Sequence, residues 1–112
     1  MCGIAGFFGS TVSPDAAPAL MQRMAVRLGH RGPDEKGIHS APGIGLAHAR
    51  LSVVGLADGQ QPMADASGDL VISYNGEIFN YVELRERLQA RGRRFLTGSD
   101  TEVILHLYDE MG

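Results

Sequence analysis

The sequence is poor in cysteine, and this scarcity limits the sites that it can build. Cys2 is the single cysteine among 112 residues, so no internal disulfide can form and a reducing compartment is expected. The four histidines lack the paired spacing of metal ligands, and no second cysteine can join them. We therefore expect no metal site in this chain.

Positive charge and long apolar runs are also lacking. The net charge is -3, with 10 Lys and Arg residues against 13 Asp and Glu residues, which favours neither nucleic acid nor an anionic membrane as a partner. No apolar run reaches the roughly 18 residues that a membrane-spanning helix needs. The N-terminus lacks the basic and apolar regions of a secretory signal. We expect a cytoplasmic protein with no nucleic-acid or membrane partner.

Common signatures of nucleotide binding and serine hydrolysis are missing from these 112 residues. There is no Walker-type phosphate loop and no Gly-x-Gly-x-x-Gly segment. There is also no Gly-x-Ser-x-Gly nucleophile elbow. Any catalytic chemistry in this chain must therefore come from other residues.

Apolar periodicity and turn residues predict alternating strands and helices. Asn75-Gly76 is typical of a two-residue hairpin turn, while Asn80 and Ser99 have the spacing of capping boxes before two of the helices. The expected elements are a strand at 3–8, a helix opened by Ser13 and Pro14, a turn at 30–34, strands at 44–54, 70–74, 77–79 and 94–96, a polar loop at 58–68, and helices over 81–91 and after 99. This order predicts an α+β fold, with helices packed on largely antiparallel sheet.

Cys2 would combine two reactive groups if Met1 is removed. The mature chain would then begin with a residue that carries both a thiol and a free α-amine. Such an amine has a pKa of about 7.7 to 8.0, so it can take the thiol proton directly or through one water, without a catalytic histidine. The alternative is an inert buried cysteine, which is common in cytosolic proteins.

Polar residues elsewhere are candidates to complete a site around this nucleophile. The side-chain amide of Asn75 and the backbone N–H of Gly76 could form an oxyanion hole, a kind of site in which losing one donor costs about 100- to 1000-fold in rate. Arg50 suits a substrate carboxylate because its planar fork can bind bidentately. Glu77 and Asp100 suit a substrate ammonium group. The alternatives are a simple hairpin turn, surface charges and a helix cap.

Several segments, in this order, resemble those of class II glutamine amidotransferases, which are N-terminal-nucleophile hydrolases. The similarity runs over residues 1–112 and is closest to the glutamine-dependent asparagine synthetases. The segments are Met-Cys-Gly-Ile-Ala-Gly at 1–6, His-Arg-Gly-Pro-Asp at 30–34, Ala-His-Ala-Arg-Leu-Ser at 47–52, Gln-Gln-Pro-Met at 60–63, Tyr-Asn-Gly-Glu-Ile-Phe-Asn-Tyr at 74–81 and Ser-Asp-Thr-Glu-Val-Ile at 99–104.

The resemblance implies a role for each matching residue in the hydrolysis of L-glutamine. The nucleophile would attack the side-chain amide, ammonia would leave, and water would hydrolyse the γ-glutamyl thioester. The implied roles are Cys2 as nucleophile, Asn75 and Gly76 as oxyanion hole, Arg50 for the substrate carboxylate, Glu77 and Asp100 for its amino group, and the backbone around Leu51 and Val53 as pocket lining.

The resemblance also implies parts that lie outside this chain. Family members have a longer glutaminase domain, an αββα sandwich of two antiparallel sheets, of which residues 1–112 would form about the first half. A C-terminal synthetase domain in the same polypeptide would use ATP and Mg²⁺ to activate aspartate. We expect no cofactor in residues 1–112, little activity from this fragment alone, and leave a homodimer open as the assembly state.

Two other functions stay open at this point. Amidotransferases that act on sugar phosphates, or on sugar or peptide acids, share this half of the domain. A non-catalytic interaction or regulatory module could also retain the fold. The joint presence of Cys2, Arg50, Asn75, Glu77 and Asp100 argues against such a module, because a binding module needs no thiol at its amino end.

Overall fold

The computed structural model describes residues 2–9, 11–51 and 58–112. Its elements, in chain order, are β1 (Gly3–Phe8), α1 (Ala17–Arg27), β2 (Glu35–Ala41), β3 (Ile44–Arg50), β4 (Met63–Ala64), β5 (Val71–Ile72), α2 (Tyr81–Ala90) and α3 (Thr101–Met111). They fall into two compact units. The first holds β1, α1, β2 and β3 with residues 60–62 and 73–75, and the second holds the other elements. The α+β class with antiparallel sheets is therefore confirmed.

The sheet of the first unit has the order β1-β3-β2, and β3 pairs antiparallel with both neighbours. Strands β2 and β3 form a hairpin that closes where Ala41 pairs with Ile44. Between them, Gly43 has a φ of 77°, the left-handed value that the second central position of a type II turn requires. Pro42 fits the first central position because its ring fixes φ.

One face of this sheet packs against α1. Met21, Ala25 and Ala47 are fully shielded from solvent. A methyl group at Gly45 would lie only 2.7 Å from the Sδ of Met21, so the helix lies close enough to β3 to require small residues beneath it. Because side chains alternate along a strand, His48 lies on the opposite face of β3 from Ala47. The half-buried residues around this core are Ala5, Phe7, Leu20, Met24 and Ile38.

In the second unit, a buried carboxylate holds the segment that precedes α3. Glu102 accepts hydrogen bonds from the backbone N–H of Leu96 at 2.7 Å and from both the N–H and the hydroxyl of Thr97, at 2.7 and 2.6 Å. Val103 and Leu105 on the same helix are buried. Residues 96 and 97 belong to no helix or strand, and the Glu102 carboxylate accepts both of their backbone N–H groups.

The predicted hairpin at Asn75-Gly76 is wrong. A type I′ turn needs a positive φ at both central residues, and neither Asn75 nor Gly76 has one. Residues 77–79 form no strand, and the predicted strand at 70–74 is reduced to β5. Its partner is β4, with Met63 opposite Ile72, inside the segment that was predicted as a polar loop.

Helix α1 begins later than predicted. Residues 14–16 form a turn in which the carbonyl of Ser13 accepts the N–H groups of Ala16 and Ala17, both at 3.1 Å. The helix then starts at Ala17, with Pro18 in its first turn. Both Pro14 and Pro18 fit a helix start because proline lacks an N–H group, and the sequence pattern does not distinguish them.

The remaining differences concern caps and short strands. Asn80 stands at the start of α2 but makes no side-chain cap bond. Ser99 Oγ accepts the N–H of Thr101, the first residue of α3, at 3.2 Å, as a capping side chain does, while Glu102 binds the preceding segment. Residues 94–96 form no strand. Strand β3 ends at Arg50, and residues 52–54 of the strand predicted at 44–54 lie outside the described residues. Strand β2 was not predicted, since Ile38 is its one large apolar residue and no alternation is visible.

Candidate functional site

Cys2 lies immediately before β1, and its half-buried thiol faces the residue that follows β3. The Leu51 N–H donates to Sγ at 3.4 Å, and the thiol lies 3.9 Å from the Leu51 carbonyl oxygen. The strand register explains this contact, because Gly3 pairs with Ala49 and the start of β1 therefore lies beside the end of β3. The sheet thus fixes the position of the sulfur.

The backbone carbonyl of Cys2 receives two side-chain donors. Arg31 Nε and Asn75 Nδ2 each lie 3.4 Å from this oxygen. The amide of Asn75 is therefore next to Cys2 although 72 residues separate the two in the chain. Gly76 belongs to the second unit, so the convergence of its N–H with the Asn75 amide stays a prediction.

The predicted turn at 30–34 overlaps a turn over 28–32, which hydrogen bonds from the N–H groups of Arg31 and Gly32 to the Leu28 carbonyl close. The segment packs directly on the end of β3. A Cβ atom at Gly32 would lie 2.0 Å from the carbonyl oxygen of Ala49. The segment therefore needs a residue without a side chain where the two backbones meet. This close approach brings Arg31 to the carbonyl of Cys2.

Arg50 is buried, with 8% of its surface exposed. Its Nη1 lies 3.0 Å from Glu35 Oε2, and the two residues are register partners on β3 and β2. A charge that is removed from water needs such a partner. The ion pair accounts for the burial of Arg50, and its binding of a substrate carboxylate stays a prediction.

Two further side-chain contacts lie in the first unit, His48 with Ser73 and Gln61 with the backbone of Tyr74. His48 is 1% exposed, and its Nδ1 lies 2.8 Å from Ser73 Oγ. Burial, and to a lesser extent the positive charge of Arg50, hold the pKa of His48 below its ordinary value. The ring is therefore neutral at neutral pH. The next residue, Tyr74, donates its backbone N–H to the side-chain oxygen of Gln61.

The other predicted residues belong to the second unit or lie outside the described residues. Gly76 and Glu77 are exposed. Asp100 precedes α3 but does not cap it. Instead, its Oδ2 accepts the N–H of Ile78 at 2.9 Å, which brings Asp100 to the residue after Glu77. Their binding of a substrate amino group stays a prediction, and Val53 lies outside the described residues.

Comparison with known proteins decides the family. The model of the glutamine amidotransferase domain matches residues 1–112, which is the whole chain. The chain belongs to the glutamine amidotransferase domain family. It is 43% identical over 112 residues to glutamine-hydrolyzing asparagine synthetase 1 of Arabidopsis thaliana. It is also 40% identical over 114 residues to glutamine-hydrolyzing asparagine synthetase 2 of Bacillus subtilis (strain 168).

The matched region is a minor part of these relatives. All of this chain is covered in both comparisons, but it spans only 19% of the Arabidopsis protein and 15% of the Bacillus protein. In the relatives, the amidotransferase region is therefore one part of a longer polypeptide.

Other kinds of site are absent from the described part of this amidotransferase domain. Residues 2–9, 11–51 and 58–112 contain no group of three or more His, Cys, Asp or Glu side chains that could hold a metal ion. No helix within the same ranges combines the length and apolar character needed to cross a bilayer.

The sequence pattern did not indicate several residues that contact Cys2, Arg50 or residues 73–75. A signal for one group was present: Ala47 and Ala49 alternate with His48 and Arg50, so two polar residues share one face of a strand. No local pattern identifies Ser73, because its partner lies 25 residues away. The other contacts that were missed involve Arg31, Glu35 and Gln61.

Proposed function

We propose that this domain hydrolyses L-glutamine to supply ammonia within a glutamine-dependent asparagine synthetase. The observation that carries the proposal is the surroundings of Cys2. Its half-buried thiol meets the backbone of Leu51 at 3.4 Å, and an amide donor from Asn75 reaches the carbonyl of the same cysteine at 3.4 Å. Identities of 43% and 40% to proteins named as glutamine-hydrolyzing asparagine synthetases support the same reaction.

The proposed reaction begins with transfer of the Cys2 thiol proton to the α-amine that removal of Met1 would expose. The sulfur attacks the carbonyl carbon of the glutamine side chain, and negative charge develops on the carbonyl oxygen. Asn75 Nδ2 stabilises that charge as an oxyanion-hole donor. The protonated amine returns its proton to the nitrogen, the C–N bond breaks and ammonia leaves. Water then hydrolyses the γ-glutamyl thioester to glutamate and regenerates the thiol.

Substrate orientation is assigned to the end of β3. Arg50 binds the α-carboxylate of glutamine, a role that suits a guanidinium already oriented by Glu35. The backbone of Leu51 lines the pocket beside the sulfur. Because Arg50 ends β3 and Leu51 follows it directly, one strand positions the groups that contact the substrate and the sulfur.

The remainder of the proposed protein lies outside this chain. Sheet β1-β3-β2 with α1 on one face would contribute an α layer and a β layer to the αββα sandwich of N-terminal-nucleophile hydrolases. A synthetase domain in the same polypeptide would bind ATP and Mg²⁺ and amidate aspartate. The names of the relatives favour aspartate as acceptor over a sugar phosphate or a sugar or peptide acid.

The test uses the full-length protein that carries this chain. Glutamate release from glutamine is measured for the wild type and for Cys2→Ala, and the mass of the N-terminal peptide shows whether Met1 has been removed. We expect Cys2→Ala to abolish glutamate release, since no nucleophile remains. Asparagine formation from externally supplied ammonia is the matched control, because it bypasses the thiol and should persist. Glutamate release by Cys2→Ala would refute the proposal.

A further inference from the structure

His48 is a buried imidazole that the proposed reaction does not use. It lies in β3, the central strand of the sheet, and only 1% of its surface is exposed. Its neighbour Ala47 belongs to the core under α1, so the alternation of the strand directs His48 to the other face. An aromatic ring with two nitrogens is costly to bury at such a position unless its polar atoms find partners.

The ring has one hydrogen bond to offset that cost. Nδ1 lies 2.8 Å from Ser73 Oγ, whereas Nε2 is buried without a hydrogen-bond partner among the described residues. Since the pKa of His48 is lowered by burial and by Arg50, the ring is neutral and its contact with Ser73 is uncharged. The hydrogen bond to Ser73 therefore links the buried ring on β3 to residue 73.

Residue 73 opens a segment that has no helix or strand of its own. Each of its three residues is held by a different contact: Ser73 by His48, the Tyr74 N–H by the side chain of Gln61, and the Asn75 amide by the Cys2 carbonyl. The contact at Ser73 comes from the same strand that continues into Leu51, whose N–H meets the sulfur of Cys2. Strand β3 thus positions both Leu51, which contacts the Cys2 sulfur, and the segment 73–75, which contacts the Cys2 carbonyl.

We propose that the His48–Ser73 hydrogen bond positions Asn75 beside Cys2, and that it thereby sets the rate of glutamine hydrolysis without touching the substrate. This inference rests on the proposed function. His48 and Ser73 are positioning residues, which act through Asn75. Because the oxyanion forms during the reaction, the loss of correct placement should lower kcat more than it changes KM.

The central variant is Ser73→Ala in the full-length protein, since it removes the hydroxyl and leaves the backbone intact. Loss of a complete oxyanion donor costs about 100- to 1000-fold in rate, and a misplaced donor costs less. We expect kcat for glutamate release to fall roughly 10- to 100-fold, with KM nearly unchanged. Alkylation of Cys2 by iodoacetamide requires the thiol but no oxyanion hole, so its rate should stay at the wild-type value.

Two substitutions of His48 separate positioning from simple filling of space. The amide group of Asn is attached to Cγ, as Nδ1 is, so His48→Asn can still reach Ser73. The amide of Gln is one bond further along and reproduces Nε2 instead. We expect His48→Asn to retain most of kcat and His48→Gln to lose as much as Ser73→Ala. His39→Asn, on the same face of β2, is the matched control and should behave as wild type.

The dependence on Asn75 gives the decisive measurement. If the effect passes through Asn75, then Ser73→Ala should cost almost nothing further in an Asn75→Ala background. An equal loss from Ser73→Ala with and without the Asn75 side chain would overturn the inference, as would an unchanged kcat or a slowed alkylation of Cys2. A wild-type protein that releases no glutamate would remove the proposed function itself, whereas normal release with an unaffected Ser73→Ala removes this inference alone.

Discussion

Replacing Gly32 by alanine should disable the site although no atom of Gly32 takes part in the proposed chemistry. The new Cβ would lie 2.0 Å from the carbonyl oxygen of Ala49, 2.2 Å from its carbonyl carbon and 2.5 Å from the backbone nitrogen of Arg50. Ordinary contact begins at 3.4 Å. The obstacle is backbone, so no side-chain rotation can relieve it. The turn at 30–34 must therefore move away from the end of β3.

The size of this movement sets the expected effect. To reach ordinary contact with the Ala49 carbonyl oxygen, the two backbones must separate by about 1.4 Å. Misplacement of a reacting group by about 1 Å can already cost about 100-fold in rate. Arg31 in the displaced turn donates to the Cys2 carbonyl, and Leu51 beyond the displaced strand end donates to the Cys2 sulfur. Overpacking of this kind also costs about 1–3 kcal/mol of folding free energy.

The assay compares the glutamate release and the urea unfolding of Gly32→Ala with those of the wild type, in the full-length protein. We expect kcat to fall about 100-fold, while asparagine formation from added ammonia persists. Gly98→Ala is the matched control, because its new methyl group would lie 3.6 Å from the nearest atom, an oxygen of Asp58. Wild-type kcat and wild-type stability in Gly32→Ala would refute the close approach and the reasoning built on it.

Two further predictions concern stability. Burial raises the pKa of Glu102, but hydrogen bonds from Thr97 and from the Leu96 N–H together outweigh it and lower the pKa below its ordinary value. The ionised carboxylate therefore stabilises the fold above its unfolded-state pKa, and this stabilisation is lost as pH falls through the folded-state pKa. Glu102→Gln should lower the free energy of unfolding by about 1–3 kcal/mol at neutral pH and should make that free energy less dependent on pH below neutrality. Urea titrations from pH 7 to pH 3 that give the variant the same pH dependence as the wild type would contradict this. Met21→Ala removes a fully buried side chain and should cost about 2–5 kcal/mol, so an unchanged urea midpoint would refute the assigned core.

The parts of the fold that could be predicted are those whose signal is local. The apolar run at 3–8 has the length of a strand and gives β1, and the helical spacing of the apolar face that includes Met21 and Ala25 gives α1. Strand β2 escaped prediction because its burial comes from pairing with β3 rather than from its own apolar residues. The Asn75-Gly76 turn was wrong for the opposite reason: the local signal is strong, but residues 77–79 form no strand and β5 pairs with β4 instead.

In the candidate site, the residue types could be predicted from the sequence, but the contacts between them could not. The sequence predicts Cys2, Arg50 and Asn75 as candidates by the chemistry that their groups permit. It could not indicate that Arg50 pairs with Glu35, since that contact depends on the register of two strands. Nor could it indicate that His48 contacts Ser73. Polar contacts across tens of residues have no periodic pattern, so only the folded chain reveals them.

Small residues connect the fold of this domain to its proposed chemistry. Gly32 lets the turn at 30–34 reach the end of β3, and Gly45 lets α1 approach the same strand close to Met21. Gly45 lies on the face of β3 away from His48, so the approach of α1 leaves the polar face of the strand to hold residue 73. A bulkier residue at either glycine would still suit a strand or a turn locally. It would displace the strand that meets Cys2, so these glycines are requirements of the site as much as of the fold.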